Sequence, residues 1–188
     1  MEESLLVCGK RYRILRLLGH GKGGYSYLAR AEDAEAKQVV LKQIHHEPCD
    51  YYHFGNKIEA ERRDYQLLRG AHIRVPAVLA VDAEAERIVK EYVPGDTIFE
   101  LVRKGCSVEP YLPQVREMAA QAMDAGLNID YFPTNFVVSD GLLWYVDFEC
   151  NPYEEQWSFE HWGIRYWSLT PEFEAYLQRN KGLKLRSW

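Results

Sequence analysis

Residues 130–149 read DYFPTNFVVSDGLLWYVDFE and carry the most informative pattern in the chain. Asp130 and Asn135 precede a predicted hairpin whose turn is Asp140-Gly141, and Asp147 follows it. That dipeptide favours a two-residue type I′ turn between two strands. Two carboxylates and a carboxamide on adjacent loops provide the hard oxygen ligands that suit Mg²⁺ and its phosphates. The stretch therefore predicts an oxygen-rich site, although Asp and Asn taken singly are also common turn residues.

The chain before this stretch has the pattern of an antiparallel sheet with one inserted helix. Short β-branched or aromatic segments between turn residues predict strands at Tyr12–Leu18, Tyr25–Arg30, Gln38–Ile44, Val75–Val81 and Arg87–Val93. Between the third and fourth of these, Lys57–Arg69 has helical spacing, with Ile58, Tyr65 and Leu68 on one face.

After Pro94-Gly95 the pattern becomes mostly helical. Helical segments are expected at Asp96–Arg103, at Leu112–Asp124 and, as one or two helices, between Glu155 and Arg179. Gly126 is expected to end the second of these. The hairpin strands are expected at Phe136–Ser139 and Leu142–Val146. The predicted fold class is therefore α+β.

Composition excludes several classes of protein. The 188 residues are 47% hydrophobic and 27% charged, which is typical of a globular protein. The net charge of −5 argues against generic binding to nucleic acid or to an anionic membrane. Acidic residues at the N-terminus do not fit a signal peptide, and the four cysteines form no CxxC pair. We therefore expect a cytoplasmic protein with reduced thiols and with neither a direct nucleic-acid partner nor a membrane partner.

A glycine-rich segment lies between the first two predicted strands. Gly19, Gly21 and Gly24 form a G-x-G-x-x-G pattern, in which backbone N–H groups can approach phosphate oxygens because no Cβ intervenes. A dinucleotide-binding motif would need a helix directly after Gly24, and a strand is predicted there instead. A plain glycine-rich hairpin remains the alternative.

Lys42 is a charged residue on an otherwise apolar face of its predicted strand. The two-residue period places it on the same face as Val40 and Ile44, where a desolvated ammonium needs a counter-charge. Glu61 falls on the buried stripe of the following helix, whereas Glu59 falls on the polar side. Glu61 is therefore the better candidate for an ion pair, and a lysine that reaches solvent at a sheet edge is the alternative.

In their order and spacing these motifs resemble those of protein kinases. The resemblance covers residues 17–157. Residues 18–29 resemble the phosphate-covering loop, Val39–Lys42 the V-A-I-K strand and Lys90–Gly95 the hinge. Asp130–Asn135 resembles the catalytic loop, and Asp147–Glu149 resembles the metal-binding D-F-G. The resemblance implies a single minimal domain with the two-lobed kinase-like fold: an antiparallel N-lobe sheet plus one helix at about 1–92, a hinge at about 91–95 and a reduced, mostly helical C-lobe at about 96–188.

The same resemblance implies an ATP-dependent phosphotransferase with ATP and Mg²⁺ as cofactors. It assigns nucleotide-binding roles to Gly19, Gly21, Gly24, Val40, Lys42, Glu91, Val93 and Val137. In these roles the glycines cover the phosphates, Lys42 is oriented by Glu61, and the backbones of Glu91 and Val93 bind adenine. Asp130 would orient or deprotonate the acceptor hydroxyl, with Asn135 and Asp147 as metal ligands.

The departures from the kinase pattern leave three functions open. Asn128-Ile129 replaces the usual His-Arg, Phe132 replaces a basic residue, and Glu149 replaces the glycine of D-F-G. The short segment after Asp147 resembles small atypical kinases of the RIO-like and lipopolysaccharide-kinase-like branch. The leading hypothesis is an atypical serine/threonine kinase. The alternatives are a small-molecule kinase of aminoglycoside-phosphotransferase type and a pseudokinase or interaction module.

The expected partner is a phosphoacceptor, either a protein or a small molecule. A zinc site formed by His45, His46, Cys49 and His53 is a further reading of the sequence, which we do not favour because these residues occupy the irregular loop before the predicted helix.

Overall fold

The computed structural model describes residues 3–21, 23–33, 36–46 and 56–180. Within these ranges the chain is α+β, with antiparallel strands and few helices, as the sequence predicts. The strands are β1 Ser4–Val7, β2 Lys10–Gly21, β3 Gly24–Ala31, β4 Gln38–Ile44, β5 Val78–Asp82, β6 Arg87–Glu91, β7 Asp96–Thr97, β8 Leu127–Ile129, β9 Phe136–Ser139, β10 Leu142–Tyr145 and β11 Cys150–Pro152. The α-helices are α1 Lys57–Gly70, α2 Ile98–Arg103, α3 Leu112–Asp124 and α4 Pro171–Arg179.

The chain divides into two compact units. The first unit runs to Arg63 and also includes Pro76–Tyr92. Among the described residues, the second unit consists of Asp64–Val75 and of residues 93–180. Helix α1 therefore begins in the first unit and ends in the second. Among the described residues, no helix combines the length and the apolar character that crossing a membrane requires.

The first unit is built on a six-stranded antiparallel sheet with the order β1-β2-β3-β4-β6-β5. The interior strand β4 is buried on both faces. Val39 and Leu41 belong to an apolar cluster with residues of β1, β2, β3 and β6, while Ile44 packs with Ile58 of α1. Because side chains alternate along a strand, Lys42 shares the face of Ile44, on which α1 packs. The fold thus presents Lys42 to the helix that carries Glu61.

The strand predictions for the first unit are confirmed with changed boundaries. The bounds of β4 agree with the prediction, and β2 and β3 extend further because their pairing continues to Gly21↔Gly24. The expected strand Val75–Val81 begins only at Val78, and the one expected to end at Val93 ends at Glu91. Strand β1, which lies at the edge of the described sheet beside β2, has only four residues, and a pattern of that length is too short to predict a strand.

In the second unit the predicted hairpin is confirmed. Strands β9 and β10 pair antiparallel, with Phe136 opposite Tyr145. Asp140 and Gly141 both have positive φ, 50° and 77°, as a type I′ turn requires. Helix α3 has the predicted bounds, and Gly126 follows it at φ 71°, its N–H donating to the Met123 carbonyl.

Two helix predictions in the second unit are wrong in part. The expected helix Asp96–Arg103 begins at Ile98, because Thr97 is its N-cap and forms a capping box with Glu100. Between Glu155 and Arg179 the described α-helix is α4, which begins only at Pro171, and residues 155–157 and 163–166 form 3-10 turns. Tertiary contacts override helical spacing there. A Cβ on Gly163 would lie 2.5 Å from the Tyr131 Cβ, and the Trp167 indole donates to the Tyr131 carbonyl.

Candidate functional site

We call residues 19–24 the glycine turn. It connects β2 to β3, with Gly19 opposite Ser26 and Gly21 opposite Gly24. Gly24 has φ 155°, and a Cβ there would lie 2.3 Å from the Gln43 carbonyl oxygen, so the position requires glycine. A strand follows Gly24, which excludes the dinucleotide-binding alternative.

The glycine turn lies beside the predicted lysine–glutamate pair. A Cβ on Gly23 would lie 3.1 Å from the Lys42 Nζ and 3.7 Å from the Glu61 Oε1. A side chain at this position would press on the ammonium group, so its absence lets the backbone approach Lys42. The structure therefore places the backbone of Gly23 next to the Lys42 ammonium group in the first unit.

The Lys42 Nζ forms an ion pair with the Glu61 Oε1. Only 14% of the Lys42 side chain and 16% of the Glu61 side chain are exposed, so both charges are largely removed from water. Glu59 pairs instead with Arg62, at 3.1 Å on the exposed side of α1. An ion pair this shielded has to offset the cost of desolvating both charges, so a purely stabilising role is a weak explanation for it.

Histidines that the sequence analysis considered as zinc ligands have other contacts. The Nε2 of His45 lies 3.0 Å from the Gly21 carbonyl oxygen and 3.2 Å from the Nε2 of His20, which stacks on Tyr25. His46 pairs with Glu86 at 2.8 Å. The remaining candidates, Cys49 and His53, lie outside the described residues. Within the ranges that the structure describes, no group of three or more His, Cys, Asp or Glu residues is arranged to hold a metal.

In the second unit, Asp130–Asn135, here the Asp130 loop, is fixed by its own hydrogen bonds. The Phe132 N–H donates to the Asp130 Oδ1 at 3.0 Å, and the Asn135 N–H donates to the Phe132 carbonyl at 2.9 Å. The Asn135 Nδ2 donates to the Asp130 carbonyl at 3.3 Å. These bonds orient the Asp130 carboxylate and keep the Asn135 side chain inside the loop, where only 2% of the residue is exposed.

Asp147–Glu149, here the Asp147 turn, begins two residues after the end of β10 at Tyr145. The Val146 N–H donates to the Asn135 carbonyl at 2.9 Å, which brings the residue before Asp147 against the end of the Asp130 loop. The Asp147 Oδ1 accepts the Phe148 N–H at 2.8 Å. A carboxylate and an amide oxygen on adjoining segments fit the ligand chemistry of Mg²⁺, which takes one or two protein ligands and completes its shell with phosphate and water.

Tyr145 links these two segments and was missed by the sequence analysis. Its hydroxyl accepts the Asp130 N–H at 3.2 Å and donates to the Glu149 carbonyl at 2.7 Å. Burial raises the pKa of Tyr145 well above its ordinary value, and the charges of Asp147 and Asp130 raise it further. The sequence offered only a strand-forming aromatic residue, which gives no sign of where its hydroxyl lies.

Phe132, at the position where the resemblance would place a basic residue, is part of an aromatic cluster. Its ring centroid lies 4.7 Å from that of Tyr176, 5.2 Å from Tyr166 and 6.2 Å from Phe99. Asn128, which stands in place of the usual histidine, accepts the Glu154 N–H at 2.6 Å. Both departures from the kinase pattern are thus integrated into the packing of the second unit.

The residues predicted to contact adenine belong to both units, and each has defined surroundings within its own unit. Val40 is buried in β4, and the Glu91 N–H donates to the Ala77 carbonyl at 2.8 Å. Val93 and Val137 are buried in the second unit. The adenine-binding role of these residues stays a prediction.

Two curated proteins are similar to this chain. The serine/threonine-protein kinase pkn2 of Myxococcus xanthus is 29% identical over 147 residues, covering 73% of this chain and 17% of that protein. The serine/threonine-protein kinase tousled-like 1 of Caenorhabditis elegans is 27% identical over 192 residues, covering 87% of this chain and 20% of that protein. No protein-family model matches the chain.

These similarities support a distant protein-kinase-like relationship. The chain spans about a fifth of the length of the curated relatives it matches. Its antiparallel sheet with α1 packed on one face is compatible with the N-terminal lobe of a kinase.

Proposed function

We propose that the chain is an ATP-dependent phosphotransferase with a two-lobed protein-kinase-like fold, and that it transfers the γ-phosphoryl group of Mg-ATP to a hydroxyl. The observation that carries the proposal is the shielded Lys42–Glu61 ion pair beside the glycine turn. A cation held next to glycine backbone, which no Cβ shields, suits the binding of phosphate oxygens. The similarity to serine/threonine kinases favours the same chemistry.

The residues of the two units would have separate tasks. Lys42 would bind phosphate oxygens while Glu61 orients its ammonium group. Asn135 and Asp147 would hold Mg²⁺, which when bound supplies positive charge to the phosphates. Asp130 would orient the acceptor hydroxyl and receive its proton as the new oxygen–phosphorus bond forms and the bond to the leaving ADP breaks. The hydrogen bond from the Phe132 N–H supports this role because it fixes the Asp130 carboxylate.

We favour an atypical serine/threonine protein kinase of the RIO-like or lipopolysaccharide-kinase-like type, acting on a protein in the cytoplasm. The short segment between Asp147 and Trp157 supports this subtype. The exposed Glu149 in the Asp147 turn favours instead a small-molecule kinase. The packed Phe132, which brings no cation to the loop, favours a pseudokinase that binds nucleotide without transfer.

Labelled ATP tests the proposal directly. With Mg²⁺ and γ-labelled ATP, we expect the purified chain to label itself, a protein pool or a metabolite pool, and the labelled pool identifies the acceptor class. Lys42→Met should abolish most of the labelling, whereas Lys10→Met, a matched change at a lysine that is 47% exposed, should leave it intact. Absence of labelling in every pool, together with no binding at millimolar Mg-ATP, would refute the proposed function.

A further inference from the structure

Tyr145 occupies a rigid position between the two segments of the second unit to which we assign chemistry. It is the last residue of β10, and none of its surface is exposed. Its N–H donates to the Arg74 carbonyl at 2.9 Å, and its ring lies 5.3 Å from that of Phe136, its partner across the hairpin. Backbone and ring are therefore both fixed, so the hydroxyl oxygen has a defined place.

The Tyr145 hydroxyl forms two hydrogen bonds, one as acceptor and one as donor, and they join two different segments. It accepts from the Asp130 N–H, at the start of the Asp130 loop, and donates to the Glu149 carbonyl, at the end of the Asp147 turn. Both partners are backbone groups, so they constrain the path of the chain and not merely one side chain. A hydroxyl with these contacts fixes the distance between the two segments.

Burial and nearby acidic groups keep Tyr145 protonated. Desolvation raises its pKa most, and the charges of Asp147, Asp130 and Glu149 raise it in the same direction. The hydroxyl therefore remains a hydrogen-bond donor to Glu149 across the pH range in which a kinase would work. Because both hydroxyl contacts are to backbone groups of different segments, the geometry points to a structural coupling as the contribution of Tyr145.

We propose that Tyr145 is a positioning residue that couples the Asp130 loop to the Asp147 turn and thereby aligns the acceptor-orienting carboxylate with the metal ligands. The catalytic part of this inference rests on the proposed function, because it acts through Asp130. A small misplacement of reacting groups costs on the order of 10²-fold in rate, so a residue that sets their spacing has a large effect without touching the substrate.

Tyr145→Phe is the critical variant, because it keeps the ring in the core and removes only the hydroxyl. We expect kcat to fall about tenfold to a hundredfold while KM for ATP changes by less than about threefold. Leu143→Val, at a fully buried residue two positions earlier in β10, is the matched control. It should lower the melting temperature comparably and leave kcat, measured well below that temperature, unchanged.

A second background tests whether Tyr145 acts through Asp130. In the Asp130→Asn protein, adding Tyr145→Phe should cause little further loss of kcat, because the group being aligned has already lost its charge. A full additional loss in that background would show that Tyr145 does not act through Asp130 and would overturn the positioning role. A kcat of Tyr145→Phe equal to that of the parent would overturn it as well.

Amide hydrogen exchange tests the coupling without any activity. Tyr145→Phe should raise the exchange rate of peptides covering both residues 127–135 and residues 147–152, whereas Leu143→Val should not single out this pair. Unchanged protection of these peptides would overturn the inference even if the parent transfers phosphoryl groups. A parent that transfers nothing would refute the proposed function and with it the catalytic role, while the exchange result would still decide whether Tyr145 couples the two segments.

Discussion

The two units fix their proposed functional side chains in different ways. In the first unit a side chain is oriented by another side chain, whereas in the second unit such side chains are fixed mainly by hydrogen bonds with the main chain. In the first unit, Lys42 pairs with the carboxylate of Glu61, a side chain that a single substitution can remove. In the second unit, Asp130 and Asn135 lie in a network of main-chain hydrogen bonds that Tyr145 completes. The first arrangement should therefore tolerate substitution without unfolding, whereas the second should respond with changes in local structure.

Each unit contains a glycine whose backbone lies so close to a strand carbonyl that a Cβ would not fit. A Cβ on Gly95 would lie 1.9 Å from the Val138 oxygen, and one on Gly24 would lie 2.3 Å from the Gln43 oxygen. Both have a positive φ that disfavours other residues. We expect Gly95→Ala and Gly24→Ala each to lower the unfolding free energy by more than about 2 kcal/mol, measured by urea denaturation.

Gly70→Ala is the control for both glycine variants. A Cβ there meets no atom within 4 Å, and the residue ends α1, so alanine should leave stability unchanged or raise it slightly. If Gly95→Ala or Gly24→Ala were as stable as Gly70→Ala, the described close approaches would be wrong. Amide hydrogen exchange on Gly95→Ala and Gly24→Ala would also show whether each variant raises exchange rates mainly in its own unit.

Asp147→Asn should separate metal binding from folding in the second unit. The amide keeps the size of the side chain and the oxygen that accepts the Phe148 N–H, but it removes the charge that would bind Mg²⁺. We expect the Mg²⁺-dependent part of the rise in melting temperature with ATP to disappear and transfer to fall by about 10²-fold or more.

Asp140→Asn is the matched control, because Asp140 lies in the hairpin turn at φ 50°, where asparagine is equally well accommodated. It should keep both the Mg²⁺-dependent stabilisation and the transfer rate. Equal behaviour of the two variants would contradict the assignment of Asp147 as a metal ligand.

A double-mutant cycle measures the side-chain pair of the first unit. Lys42→Met should weaken ATP binding or turnover while the protein stays folded, and Glu61→Ala should reproduce part of that loss. Because the two residues are in contact, the double variant should lose less than the sum, with a coupling of about 1 kcal/mol in ATP binding. Pairing Lys42→Met with Glu59→Ala should give additive effects, since Glu59 contacts Arg62.

Alkaline pH should destabilise the second unit through Tyr145. Its pKa is raised in the folded state, so the contribution of its neutral hydroxyl is complete below the unfolded pKa of about 10 and is lost as pH rises above it. Each such tyrosine contributes a slope of about 1.4 kcal/mol per pH unit above pH 10. Unfolding free energies of Tyr145→Phe should fall less steeply there than those of the parent. Identical slopes would show that this hydroxyl is not shielded.

The sequence was sufficient where a local pattern and a local constraint agreed. The alternation of β4 and the stripe of α1 placed Lys42 and Glu61 on facing surfaces, and the Asp140-Gly141 turn determined the register of β9 and β10. The sequence also placed Asp130, Asn135 and Asp147 on neighbouring segments, because the hairpin between them brings its two ends together.

What the sequence did not reveal depends on contacts between residues distant along the chain. The hydroxyl of Tyr145 joins two loops that no periodic pattern connects, and the aromatic cluster around Phe132 includes Phe99 and Tyr176. The helix expected to begin near Glu155 does not form there, because Gly163 and Trp167 pack against Tyr131. Intrinsic propensity cannot anticipate such tertiary effects.

We propose that Asp130 serves transfer and not nucleotide binding, and one paired measurement on the Asp130→Asn protein tests this role most directly. The amide keeps an oxygen to accept the Phe132 N–H but removes the charge that would orient the acceptor hydroxyl. Calorimetric titration with Mg-ATP should give a Kd close to that of the parent, while phosphoryl transfer on the same preparation should fall by about 10²-fold or more. A parent that binds Mg-ATP but turns over no faster than Asp130→Asn with any acceptor would contradict the account and identify a pseudokinase.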